Sequence, residues 1–145
     1  IGVDYDEEKI EVAQGNYLRN EFVQFEQGDV TKIDLELCDG IIISDVLHYL
    51  LPEQQVEVME RCMAALNKGG QLIIRDGVSE LKDRIKGTKL TEVFSTKIFK
   101  FNKTQNNLYF LSQVMIEDFA RKHNMQLEIL DKSQFTANLI FILKK

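Results

Sequence analysis

The strongest constraint on this chain is the order in which short apolar runs and helical stripes follow one another. Ile1-Gly2-Val3-Asp4 reads as a buried strand. Asp6 then suits a helix N-cap, and Ile10, Ala13, Tyr17 and Leu18 fall on one face at helical spacing. Phe22-Val23-Gln24-Phe25 predicts a second strand, and Gly28-Asp29-Val30 a turn. Ile41-Ile42-Ile43, entered through Asp39-Gly40, is an apolar run of the kind found in strands covered on both faces. Pro52 fits the first turn of a helix with the stripe Val56, Met59, Met63 and Leu66, which Gly69-Gly70 is expected to stop. Gln71-Leu72-Ile73-Ile74 predicts a further buried strand. Strand, helix, strand, strand, helix, strand is the rhythm of a parallel α/β sheet wound by right-handed crossovers.

After Asp76 the rhythm breaks. Residues 77–111 mix Leu90, Phe94, Phe99 and Phe101 with Lys86 and Lys97 and follow neither period. Ser112 can cap a helix whose stripe is Met115, Ile116, Phe119 and Ala120. Leu127-Glu128-Ile129-Leu130 and Leu139-Ile140-Phe141-Ile142 then predict two strands a hairpin's distance apart, an antiparallel pair closing a mostly parallel sheet. No turn or capping residue precedes Ile1, whereas domain termini are normally polar and loose. The expectation is one incomplete domain over 1–145, lacking an upstream stretch, with 77–111 inserted above the strand ends.

The balance of residues narrows the class. A chain of 145 residues that is 44% hydrophobic can build a core without disulfides or metal. Cys38 and Cys62 form no CxxC pair and read as buried thiols of a reduced compartment, hence a cytoplasmic protein. No apolar run is long enough to span a bilayer. Net charge is −5 but uneven: −10 over residues 1–74, +4 over 75–105 and +1 over the rest. A nucleic-acid protein would show a strong basic face, and this chain has none. The basic middle segment reads as a solvated loop face or as a contact for an anionic group.

In an open α/β sheet, ligands bind outside the carboxyl ends of the strands. The polar residues expected there are Asp4, Asp29, Ser44, Asp45 and Asp76. Asp4 can accept from both hydroxyls of a ribose, or simply cap the next helix. Asp29 can accept from an adenine amino group while the Val30 N–H meets a ring nitrogen, or can satisfy its own turn. Gly28 would let backbone approach the ring closely. His48, in the loop after the Ile-rich strand, is the obvious titratable group there, either as a base or as a packing and capping residue. His123, in the last turn of a helix, is explained by a dipole contact. No set of metal ligands is evident.

Gly2-Val3-Asp4, Gly28-Asp29-Val30, Asp39-Gly40-Ile41-Ile42-Ile43-Ser44-Asp45-Val46-Leu47-His48 and Leu66-Asn67-Lys68-Gly69-Gly70-Gln71-Leu72-Ile73-Ile74 carry a family likeness. In this order and spacing the chain resembles the class I S-adenosylmethionine-dependent methyltransferases of the small-molecule type. The resemblance implies a Rossmann-like, mostly parallel sheet with a C-terminal antiparallel strand pair. That family's first strand and Gly-rich loop have no counterpart here, so the activity is assigned to the intact protein. The resemblance implies S-adenosylmethionine as cofactor, with Asp4, Tyr5, Gly28, Asp29, Val30, Ser44 and Asp45 binding it and His48 as the candidate catalytic group. It implies in-line methyl transfer, for which alignment of the reactants is the protein's main task. The insertion would choose the acceptor: a small apolar, aromatic or acyl molecule, with an acidic, carrier-bound or lipid-like attachment. Two rival readings are a nicotinamide-dependent oxidoreductase, which gives Asp29 no role, and a non-catalytic interaction domain. A slot left in the sheet would favour dimerisation.

Overall fold

The computed structural model describes residues 1–15, 20–84, 108–132 and 136–145. The backbone packs as two compact units, Ile1–Glu36 and Leu37–Lys145. Tyr17, Leu18 and residues 85–107, which include Lys86, Leu90, Phe94, Lys97, Phe99 and Phe101 of the insertion, lie outside the described residues.

In the first unit β1 (Gly2–Asp4) and β2 (Phe25–Gln27) pair in parallel, with Gly2 opposite Phe25 and Asp4 opposite Gln27. Between them in sequence runs α1 (Glu7–Gln14). Asp6 starts this helix as expected: its side chain accepts the Glu8 N–H at 3.1 Å, and Glu7 and Glu8 set negative charge at the positive end of the helix dipole. β2 begins three residues later than the apolar run suggested. Asn20 is the reason. Its side chain accepts the Phe22 N–H at 2.8 Å and its carbonyl accepts the Val23 N–H at 3.1 Å, which folds that stretch into a turn. Phe22 is left 84% exposed.

The second unit is a four-stranded sheet in the order β3-β4-β6-β5. β3 (Cys38–Ser44) and β4 (Leu66–Gly77) are parallel, while β6 (Asn138–Lys144) runs antiparallel to both β4 and β5 (Gln126–Leu130). The predicted closing antiparallel pair is therefore present, and β6 lies between its neighbours rather than at the edge. α2 (Pro52–Ala65) connects β3 to β4, and α3 (Gln113–Lys122) precedes β5. Ser112 caps α3 by accepting the Met115 N–H at 3.4 Å, and Ile116, Phe119 and Ala120 are buried as its stripe predicts.

Three local expectations are corrected. The buried face of α2 is Gln55, Val58, Met59, Cys62 and Ala65, rotated from the predicted stripe. α2 ends at Ala65, before the paired glycines: Leu66 turns extended, and the Lys145 ammonium donates to the carbonyls of Met63 at 3.0 Å and Leu66 at 2.6 Å, satisfying carbonyls at the helix end. Gly69, at φ +82°, instead shapes the entry to β4. Ile42 is 72% exposed, because β3 is the edge strand of its sheet and only alternate residues turn inward.

That alternation is clean in β4 and β6. Leu72, Ile74 and Asp76 occupy one buried row, against Leu139, Phe141 and Leu143 of β6, whereas Arg75 points out. The core thus ends, at the carboxyl end of β4, on a carboxylate. Among the described residues no helix is long and apolar enough to cross a membrane.

Candidate functional site

In the first unit the parallel pairing puts the ends of β1 and β2 side by side. Asp4 closes β1, its carbonyl accepts the Gly28 N–H at 3.1 Å, and Asp29 follows directly. Both acids therefore stand at the carboxyl end of the same strand pair. One oxygen of Asp4 accepts the Asp6 N–H at 2.9 Å; the other meets only the Lys9 ammonium, at 3.4 Å. One oxygen of Asp29 accepts the Thr31 hydroxyl at 2.7 Å and the Thr31 N–H at 2.9 Å, and the other lies 3.1 Å from the Lys32 ammonium. The Thr31 hydroxyl, helped by the Thr31 N–H, holds the Asp29 carboxyl below its usual range against the opposing pull of burial. Each acid thus makes local turn bonds and keeps an oxygen with acceptor capacity.

Gly28 has a plainer reason than close approach to a ring. A Cβ there would lie 2.9 Å from both Ile33 Cγ2 and Val3 Cγ1, so packing within the unit already demands glycine. Tyr5 is 78% exposed, and its carbonyl accepts from the Gln27 amide at 3.1 Å.

In the second unit Ser44 ends β3 and Asp45 adopts φ +55°, an uncommon conformation for a residue with a side chain. The Asp45 carboxylate is already engaged. It pairs with the Arg75 guanidinium, accepts the Asn138 amide at 3.0 Å and accepts the Ser44 hydroxyl at 3.1 Å.

The chain then turns through a 3-10 segment, Leu47–Tyr49, that carries His48 onto the end of β4. Asp76 is fully buried, yet every lone pair it needs to satisfy has a donor nearby. Oδ2 accepts the Leu47 N–H at 2.8 Å and the His48 N–H at 3.4 Å, and Oδ1 accepts the Gly77 N–H at 2.7 Å. His48 Nδ1 lies 2.5 Å from Oδ1. A carboxylate already accepting three backbone N–H groups takes a fourth donor best, so Nδ1 is the nitrogen that carries a proton toward Asp76. Nε2 makes no hydrogen bond among the described residues. The ring is otherwise boxed in. Tyr49 lies against it, 4.1 Å between centroids, and Phe110 stacks above at 6.2 Å and 17°. Chemically this is an imidazole oriented through Nδ1, with Nε2 the nitrogen that could exchange a proton with a bound molecule.

The strand-end rule found Asp76 as a polar residue but not as the partner of His48. The signal was present: an acid stands in the inward row Leu72, Ile74, Asp76, Val78, where period-2 alternation calls for an apolar residue. Gln55 was not singled out, and Phe110 was expected only as apolar surface of the 77–111 insertion, not as a neighbour of the His48 ring. His123 also makes more than a dipole contact: Nε2 lies 3.0 Å from Glu60, tying α3 to α2, and its ring packs on Phe119.

The expected single, mostly parallel sheet is described as two sheets, a parallel pair in the first unit and a mixed sheet in the second whose one parallel pairing is β3–β4; solved methyltransferase structures share this fold. Human N-acetylserotonin methyltransferase, solved in complex with SAM, is 19% identical with a TM-score of 0.63 over 96% of this chain and 38% of its own. An O-methyltransferase family 2 protein from Planctomyces limnophilus, in complex with apigenin, is 18% identical with a TM-score of 0.58 over 84% of this chain and 35% of its own. Magnesium protoporphyrin IX methyltransferase from Synechocystis PCC 6803, with bound SAH, is 15% identical with a TM-score of 0.64 over 99% of this chain and 63% of its own. The chain therefore spans between about a third and two thirds of the length of these proteins. No curated protein sequence matches it. The family model described as a methyltransferase domain matches residues 1–124, and the chain belongs to that family.

Proposed function

We propose that the intact protein transfers a methyl group from S-adenosylmethionine to the hydroxyl of a small apolar, aromatic or acyl acceptor. The observation that carries the hydroxyl is the His48–Asp76 pair, 2.5 Å apart at a carboxylate closed to water, with Nε2 left open. A hydroxyl must lose its proton to become a competent nucleophile, and an oriented neutral imidazole is suited to take it.

The cofactor reading is supported by the family, by the SAM and SAH complexes of two of the solved relatives, and by the chain's own acids. In this reading Asp4 accepts from the ribose hydroxyls and Asp29 from the adenine amino group, each through the oxygen that its turn leaves lightly used. Tyr5, Gly28 and Val30 complete the adenosine contacts of the first unit, and Ser44 and Asp45 are the cofactor contacts proposed for the end of β3. Bound there, S-adenosylmethionine supplies a methyl group on an excellent leaving group. His48 Nε2 accepts the acceptor's proton. Asp76 holds the ring in the Nδ1–H tautomer and stabilises the imidazolium that results. Placing the hydroxyl oxygen in line is worth roughly 7–11 kcal/mol in favourable cases. Acceptor choice falls to the insertion 77–111.

The reading is tested by incubating the intact protein with methyl-labelled S-adenosylmethionine and a panel of phenols, hydroxy acids, amines and thiols. Label is expected in the hydroxyl compounds. Label confined to amines or thiols, or no binding of the cofactor by calorimetry, would overturn it.

A further inference from the structure

Gln55 is the one polar side chain on the buried face of α2, beside Val58, Met59, Cys62 and Ala65. It is 2% exposed. Burying an amide costs free energy unless its N–H groups are used, and an apolar residue would pack there without that cost. The amide is used heavily. Gln55 Nε2 lies 2.7 Å from the Tyr109 carbonyl, 3.0 Å from that of Leu47 and 3.2 Å from that of Leu50. Three carbonyls around two N–H bonds fix which end of the amide is nitrogen.

These carbonyls are not scattered. Leu47 and Leu50 bracket His48 in the loop that delivers it. Tyr109, from the far end of the insertion, donates its N–H to the His48 carbonyl at 2.9 Å. Tyr109 is thus held on both sides, by His48 through its N–H and by Gln55 through its carbonyl. The next residue is Phe110, which stacks on the His48 ring. One buried amide therefore fastens the His48 loop to the extended segment that roofs its imidazole.

We propose that Gln55 is a positioning residue for His48: it sets the loop and the Phe110 roof so that Nδ1 stays on Asp76 and Nε2 stays open. The inference rests on the reading of His48 as the base, and it is tested on the ring itself. Gln55→Glu keeps shape but replaces donors with acceptors; Gln55→Leu keeps volume and removes polarity. With only His48 and His123 in the chain, long-range nitrogen–proton spectra report each ring's tautomer, and His123 serves as the control. The wild type is expected to show a single Nδ1–H tautomer at His48. Both variants should lose it to a mixture and should lower the protection of the Tyr109 amide by about tenfold, the worth of a hydrogen bond. His123 should not change. An unaltered His48 tautomer and an unaltered Tyr109 amide in folded Gln55→Glu would overturn the proposal. If neither variant folds, the wild type decides: slowly exchanging Gln55 side-chain amide protons support the proposal and freely exchanging ones refute it. Methyl transfer by His48→Ala at the wild-type rate would refute the base reading instead, and would leave the effect of Gln55 on the ring standing.

Discussion

His48 Nδ1 sits 2.5 Å from Oδ1 of Asp76, a carboxylate that the fold closes entirely from solvent and that also accepts the backbone N–H groups of Leu47 and Gly77. One acid therefore organises both the loop and the ring that the loop carries.

Removing that acid should separate its two duties. Asp76→Asn keeps an oxygen for the Leu47 and His48 N–H groups but presents an N–H both to Nδ1, which favours the wrong tautomer, and to the Gly77 N–H that shares that oxygen. Methyl transfer is expected to fall roughly 10²- to 10⁴-fold with modest loss of stability. Asp76→Ala strands several buried donors and should cost about 3 kcal/mol in denaturant unfolding. An Asp76→Asn protein with wild-type turnover would show that the pair is only structural.

Gly77→Ala addresses the roof. A Cβ at Gly77 would lie 2.8 Å from Phe110 Cδ1 and 2.9 Å from Cε1, too close for a rigid ring to absorb. The ring or the strand must shift, at a cost of about 1–3 kcal/mol. Thermal unfolding should show a lowered Tm; an unchanged Tm would mean that Phe110 is free to move.

How much of this was legible in the residues varies by element. The order of strands and helices was, because a short β-branched apolar run such as Ile41–Ile43 and a period-3.6 stripe such as Ile116–Ala120 are local signals. The start of β2 was not, because Phe22 and Val23 look like strand while Asn20 captures their N–H groups in a turn, the first through its side chain and the second through its carbonyl. The stop of α2 was misplaced because its cap, Lys145, is eighty residues away. At the site, His48 stood out by rarity and Asp76 by breaking an apolar row, but their pairing depends on how β4 meets the Leu47–Tyr49 segment. Gln55 could not be singled out, since its partners are backbone carbonyls and leave no trace in side-chain pattern.

The cofactor half is tested by Asp4→Asn. The amide keeps an oxygen for the Asp6 N–H, so the turn survives, while a charge-assisted acceptor is lost. S-adenosylmethionine affinity of the intact protein, measured by calorimetry, should weaken about tenfold with unfolding unchanged. Equal affinities would remove Asp4 from the binding set.

Glu60 gives a pH-dependent prediction. The Lys122 ammonium, with His123 behind it, holds its carboxyl below the ordinary value of 4.5, although burial pulls the other way. A depressed folded value means that the contribution is present above the unfolded value and is lost as pH falls through the folded one. Glu60→Gln should therefore cost about 0.5 kcal/mol at neutral pH, and the difference should close as pH drops below about 4.5. A difference that persists in acid would mean that packing, not charge, joins α2 to α3.

The central claim is proton removal by His48, and the pH dependence of methyl transfer to a phenolic acceptor tests it most directly. His48→Ala in the intact protein should lose roughly 10²- to 10⁴-fold at neutral pH and recover toward the wild type as pH rises and the phenol ionises unaided. A His48→Ala enzyme that matches the wild type across the whole range, or one whose deficit stays constant at every pH, would contradict the account.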